Sequence, residues 1–334
     1  MNKYEKQGLN AKQAALLQQI EDSILGDLIP AEIATLEVEI EVCREFIDDP
    51  DWKQEMDMNI EKLKDLKEGG RGDIPLSFSI KIDDETKELL ELDSWMWSDA
   101  PGMIVKRIPD KIGQLTSLRK LTLDGRERTG LLSIPETIGN LKNLTYLNLE
   151  ANAIQEIPES IGNLKSLITL NLAGNPFENP PESISNLSSL KTLNIAGIEL
   201  KKIPASFSNL TSLETLDIGA NNLKILPEIV GNFQSLKTLI LQRNQIAEIP
   251  ESLNNLKNIT TLDYSYNYLK ELPPAISNMS NLQNLDISFN SLNLLPDSLL
   301  NLKSLQKLNI KFNKFTQTPK IIALLKQRGV EIIQ

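Results

Sequence analysis

The sequence predicts an α/β repeat solenoid, a parallel sheet built from one short strand per repeat and preceded by an acidic α-helical region. Three observations carry this. A 23-residue unit recurs from Leu144 to Lys326, restarting at Leu167, Leu190, Leu213, Leu236, Ile259, Leu282 and Leu305, and a fixed period of that length marks a solenoid. Each unit places apolar residues at positions 1, 4 and 6, as Leu144, Leu147 and Leu149 show. The last two are a strand step apart and face one side. No single unit can bury that side, whereas stacked units pair their strands in parallel and share one core.

The elements follow in order. Residues 1–68 read as acidic helices. Ala11 to Leu28 sets Leu16, Leu17, Ile20, Ile24 and Leu28 on one face. After Pro30, Ile33, Leu36, Ile40, Cys43 and Ile47 step by three and four. Met56, Ile60 and Leu63 carry a third helix that stops at Gly69-Gly70. Residues 33–47 form a short coiled-coil-like seam, so the region reads either as a cap on the repeats or as a self-association or docking module. Residues 69–91 read as a linker and N-terminal solenoid cap, with a strand over Phe78 to Ile82 and a helix over Asp83 to Leu92. About ten repeats fill residues 92–318. The first two have 26 residues and start at Leu92 and Leu118, with Trp95 and Trp97 in core positions of the first. The second carries an inserted loop with Arg126 and Arg128, candidate contacts because adjacent insertions project from one face. Residues 319–334 close the chain with a capping helix and an edge strand.

Within a regular unit, Asn at position 9 falls where the chain turns, and its side chain can satisfy amides that would otherwise be buried unpaired. This structural ladder is Asn152, Asn175, Asn221, Asn244, Asn267, Asn290 and Asn313; Ile198 interrupts it, which predicts a looser turn there. An Ile/Leu-Pro step then redirects the chain, and Ile-x-x-Leu supplies one helical or 3₁₀ turn.

Together these residues, Leu-x-x-Leu-x-Leu-x-x-Asn-x-Leu-x-x-Ile-Pro-x-x-Ile-x-x-Leu, resemble a leucine-rich repeat of the 23-residue Ras-group and bacterial types. The resemblance implies a curved horseshoe with strands on the concave side, where partners bind, and it implies a small GTPase as a candidate partner.

Composition removes whole classes of chemistry. The chain has no histidine and one cysteine, Cys43, which excludes Ser-His-Asp triads, His-ligated zinc, Cys-based metal clusters and internal disulfides. No catalytic residue, cofactor or metal is expected. Residues 1–91 carry 11 Lys/Arg against 23 Asp/Glu, and residues 92–334 carry 24 against 22. Nucleic acid needs a basic surface and is not an expected partner. No apolar run is long enough to span a membrane, and the first residues lack a signal-peptide core, so the expected setting is cytoplasmic.

The functional expectation is a non-enzymatic scaffold that binds another protein on its concave face, in a signalling role. Positions 3, 5, 7 and 8 of each unit face that side. They are small in the middle repeats and richer later, where Ile240, Gln242, Arg243, Asp263, Ser265, Tyr266, Asp286, Phe289, Lys311 and Phe312 are candidate partner-binding residues. Tyr266, Phe289 and Phe312 recur every 23 residues and are expected to stack, either as a binding site or as packing that supports the turn. Two other classes stay open: a structural protein that self-assembles through residues 33–47, and a regulator or enzyme acting through residues 1–91.

Overall fold

The structure is a computed structural model, and it describes residues 3–23, 50–67, 76–83, 85, 89–96, 107–123, 125 and 130–334. The seam over 33–47 with Cys43, Trp97, and the loop residues Arg126 and Arg128 lie outside the described residues.

Among the described residues, three helices precede the sheet: α1 (Lys3–Lys6), α2 (residues 11–23) and α3 (Pro50–Lys67). The sheet opens with β1 (Leu76–Ile82) and β2 (Leu89–Met96). Each repeat then gives one three-residue strand. These are β3 (Lys120–Thr122), β4 (Tyr146–Asn148), β5 (Thr169–Asn171), β6 (Thr192–Asn194), β7 (Thr215–Asp217), β8 (Thr238–Ile240), β9 (Thr261–Asp263), β10 (Asn284–Asp286) and β11 (Lys307–Asn309). After the helix α4 (Ile321–Gln327), β12 (Glu331–Ile333) closes the sheet. All twelve strands lie in sequence order; β1 runs antiparallel to β2, and every later neighbour pairs in parallel. This is a leucine-rich-repeat solenoid.

The period-23 register explains the packing. Position 4 of one strand pairs with position 4 of the next, so Leu170, Leu193, Leu216, Leu239, Leu262 and Leu285 form one buried column. Pro at position 15 precedes a 3₁₀ turn in each unit: its fixed φ, −66° at Pro158, delivers the chain extended into the turn of Glu159–Asn163. Ile161 and Leu164 point that turn inward, fully buried. At the N-terminal end, Ala14, Leu17 and Ile20 of α2 join the same core, and Gln13 donates to Ser117 Oγ at 2.8 Å while accepting the Leu89 N–H at 2.5 Å. On α3, by contrast, Met58 and Ile60 are exposed.

Two expectations need correction. Leu89 to Leu92 is strand rather than the end of a helix, because it opens β2, which pairs with β1 along seven residues. That strand also resets the first repeat. Leu92 pairs with Leu121, so Leu92 occupies position 4 and Leu89, also buried, occupies position 1. The first repeat thus begins three residues earlier than Leu92. Leu89-x-x-Leu92 and Leu92-x-x-Trp95 have the same spacing, and only the sheet register chooses between them.

The turn at Ile198 is rearranged, not loose. Asn221 Oδ1 accepts the N–H groups of both Ile198 and Leu200 at 3.0 Å, and Glu199 turns to φ 63°. One repeat earlier, the Phe177 N–H is satisfied by the Asn175 carbonyl instead of a ladder side chain.

Candidate protein-interaction site on the concave face

Two features shape the open face of the sheet. The first is the row at position 5. Its side-chain oxygen accepts the N–H of position 7: Asn148 from Glu150, Asn171 from Ala173, Asn194 from Ala196, Asp217 from Gly219, Asp263 from Ser265, Asp286 from Ser288 and Asn309 from Lys311, at 2.8–3.2 Å. Such a bond settles the strand end as an Asx turn. Ile240 is the exception, for an alkyl group cannot accept. It sits half-buried in register between Asp217 and Asp263.

The second feature is the backbone at position 8. Gly174, Gly197, Ala220, Arg243, Tyr266, Phe289 and Phe312 all take positive φ, from 51° to 68°. Glycine adopts this region freely, whereas a bulky side chain there costs on the order of 1 kcal/mol. The last four repeats nonetheless carry bulky groups, and these stack. The Tyr266 and Phe289 rings lie 3.9 Å apart and 10° from parallel; Phe289 and Phe312 lie 4.2 Å apart at 27°. The Arg243 guanidinium sits 5.1 Å over the Tyr266 ring. Each stacked pair returns about 0.5–1.5 kcal/mol, which does no more than offset the backbone cost.

Electrostatics separate the row from its border. Burial raises the Asp217 carboxyl above the ordinary carboxylate value, and the charges of Asp263 and Glu150 add to this against the hydrogen bond from Gly219. Burial likewise raises Asp263, opposed by Ser265 and reinforced by Asp286. At position 2, Glu214 is held down to about 2 by its bond to Lys237 at 2.6 Å and then by Lys191 at 2.9 Å.

The structure therefore gathers most of the candidate residues. Ile240, Asp263 and Asp286 share the position-5 row, with Gln242 half-buried beside them, and Arg243, Tyr266, Phe289 and Phe312 form one column. Lys311 is exposed at the last strand end. Ser265 is corrected: it is 4% exposed, its short side chain staying within the strand end, whereas the longer Gln242 and Lys311 at the same position reach further out. The sequence reading missed Asp217 as a site residue and the ion pairs of Glu214. It also missed the positive φ of the aromatic column, although glycine at the same register in Gly174 and Gly197 is the signal for it.

A parallel solenoid whose open face carries such a patch is the architecture of a repeat-built recognition module. Residues 111–225 and 227–327 match the leucine-rich repeat region family, and the chain belongs to that family. No curated protein matches the chain. Among solved structures, a leucine-rich-repeat protein of Leptospira interrogans is 29% identical, with 69% of this chain and 70% of that one covered and a TM-score of 0.52. PEPR1 in PEPR1–AtPEP1 is 30% identical over 76% of this chain and 36% of its own, at a TM-score of 0.60. The Arabidopsis receptor kinase HAESA, in complex with the peptide hormone IDA and the co-receptor SERK1, is 27% identical over 76% of this chain and 47% of its own, at 0.59. The chain thus spans less than half of the PEPR1 and HAESA chains that it resembles.

Proposed function

We propose that this protein is a non-enzymatic interaction scaffold that holds a segment of another protein on the concave face of its repeats, around Ile240 and the Arg243–Phe312 column. The observation that carries the reading is the choice of side chains. Ile240 forgoes a turn bond that every other strand from β4 to β11 makes, and Arg243, Tyr266, Phe289 and Phe312 occupy a backbone region that glycine fills at lower cost. The fold gains nothing from either choice, and an exposed aromatic–Arg patch is what protein interfaces use. A rigid sheet also binds with little ordering cost. The peptide partner of HAESA supports the same reading for a related solenoid.

We place this activity in the cytoplasm and in signalling. A single cysteine among 334 residues suits a reducing compartment, and no helix among the described residues is long and apolar enough to cross a membrane. The small GTPase that the repeat type implies stays a candidate partner. The test is affinity capture from native lysate with the intact chain and with Ile240→Arg combined with Tyr266→Ala. Partners held by the first and lost by the second support the concave face; partners indifferent to the double change move the function elsewhere in the chain.

A further inference from the structure

The patch also constrains the chemistry of what it holds. Three residues lie in register on β7, β8 and β9: Asp217, Ile240 and Asp263. The two carboxylates are engaged by their own turns, through Gly219 and Ser265, and among the described residues no Lys or Arg pairs with either. Cations at the ends of these and the adjacent strands have other partners. Lys191 and Lys237 flank Glu214, and Arg243 lies over Tyr266. The row therefore offers an apolar contact with a negative charge on each side and asks for an apolar residue between two cations.

Spacing selects the conformation of that occupant. Neighbouring strands lie about 4.8 Å apart, so the aspartates are about 9.6 Å apart across two steps with Ile240 midway. Along an α-helix, at 1.5 Å per residue, positions i and i+7 are about 10.5 Å apart and i+3 lies at about 4.5 Å. All three share one face. An extended chain returns to the same face only every 6.8 Å or so, which matches neither distance. Threonines on the same strands, Thr215, Thr238 and Thr261, keep the neighbouring row low.

Resting on the concave-face reading above, we propose that the occupant is an amphipathic helix of a partner protein, laid across the strands, with an apolar residue on Ile240 and basic residues seven apart on Asp217 and Asp263. The contact is one of complementary charge on a partly buried row, so it weakens as salt is raised.

The row permits variants that keep the fold. Asn does the work of Asp at this position in Asn148, Asn171, Asn194 and Asn309, so Asp217→Asn with Asp263→Asn removes charge and leaves the turns intact. Ile240→Asn adds the missing turn bond while removing the apolar contact. The experiment selects binders to the intact chain from a displayed library of random peptides long enough for three helical turns. Enriched peptides are then synthesised and titrated against the three proteins by fluorescence anisotropy, with melting curves for each. The expected binders carry Lys or Arg at i and i+7 with an apolar residue at i+3 or i+4, become helical when bound, and lose affinity about tenfold or more on both variants, with Ile240→Asn melting no lower than the parent. Binders that depend on Ile240 but lack the basic pattern, or ignore the two Asp→Asn changes, overturn this inference and leave the concave-face reading standing. Binders indifferent to Ile240→Asn, or no enrichment at all, remove both.

Discussion

The repeats from Leu144 to Ala220 and those from Leu236 to Phe312 share one backbone and differ in what they display. Position 8 carries the same left-handed φ in both halves. The earlier half fills it with Ala151, Gly174, Gly197 and Ala220; the later half fills it with Arg243, Tyr266, Phe289 and Phe312. Position 5 is Asn148, Asn171, Asn194 and Asp217 in the earlier half and Ile240, Asp263, Asp286 and Asn309 in the later one. The lesson is that the scaffold is carried by positions 1, 4, 6 and 9, and the face can be rewritten without touching it.

The largest effect separates scaffold from face. Asn221 serves its own turn and the one that lacks an Asn: it accepts from Ile198 and Leu200 and donates to the carbonyls of Ile195, Ile218 and Gly219. Asn221→Ala strands several buried groups at once, and with about 1–3 kcal/mol per unsatisfied group the loss is expected to reach about 3 kcal/mol or more in urea unfolding. Asn313→Ala, whose bonds are partly exposed, is expected to cost distinctly less. Equal losses would mean that the ladder does not adapt around Ile198.

Next comes a change on the face that runs the other way. Ile240→Asn installs the turn acceptor that the neighbouring strands have, and a net hydrogen bond is worth about 1 kcal/mol. We expect a gain of that order in urea unfolding. A loss instead would show that Ile240 serves the core and would weaken its assignment to binding. Smaller again is the column. Because Ala151 and Ala220 accept the same φ, a double-mutant cycle of Tyr266→Ala and Phe289→Ala leaves the backbone cost unchanged and isolates the stack. The expected coupling is about 1 kcal/mol, and a coupling of zero would make the rings independent.

How much of this was legible beforehand follows from what each signal depends on. Strand, Asn turn and Pro-led 3₁₀ turn repeat in one register, so a misread unit is outvoted by its neighbours; that is why the strands β4 to β11 could be placed from spacing alone. The first repeat has one neighbour and two equally spaced frames, Leu89-x-x-Leu92 and Leu92-x-x-Trp95, and hydrophobicity favours the wrong one. The stack of Tyr266, Phe289 and Phe312 was legible as a period. Its strained backbone was not, because the clue lies in the glycines of other repeats. Ser265 was misplaced because position 7 shows its side chain only when that side chain is long: Glu150 and Lys311 are exposed there, whereas Ser265 and Ser288 are buried. The ion pairs of Glu214 join residues 23 apart at position 2, a column outside the concave positions 3, 5, 7 and 8.

The smallest effect tests whether the border of the face is electrostatically separate from its floor. Glu214 has a folded value of about 2 against an ordinary 4.5. Between these values the unfolded chain binds the proton and the folded one does not, so the stabilisation from this group is complete above 4.5 and is lost as pH falls toward 2. Asp217 and Asp263 have the opposite sign. Burial raises them above 3.8, so the folded chain holds more protons just above that value, and their effect on stability improves as pH falls through the raised value. Removing the two lysines by Lys191→Ala with Lys237→Ala is expected to return the Glu214 midpoint toward 4.5 in a carboxyl-carbon NMR titration while leaving the two aspartate midpoints where they were. Overall stability is expected to move little, since exposed pairs contribute little and salt screens them. If the aspartates shifted along with Glu214, border and floor would be one coupled field, and the lysines would have to be counted against any cation that a partner brings to the row.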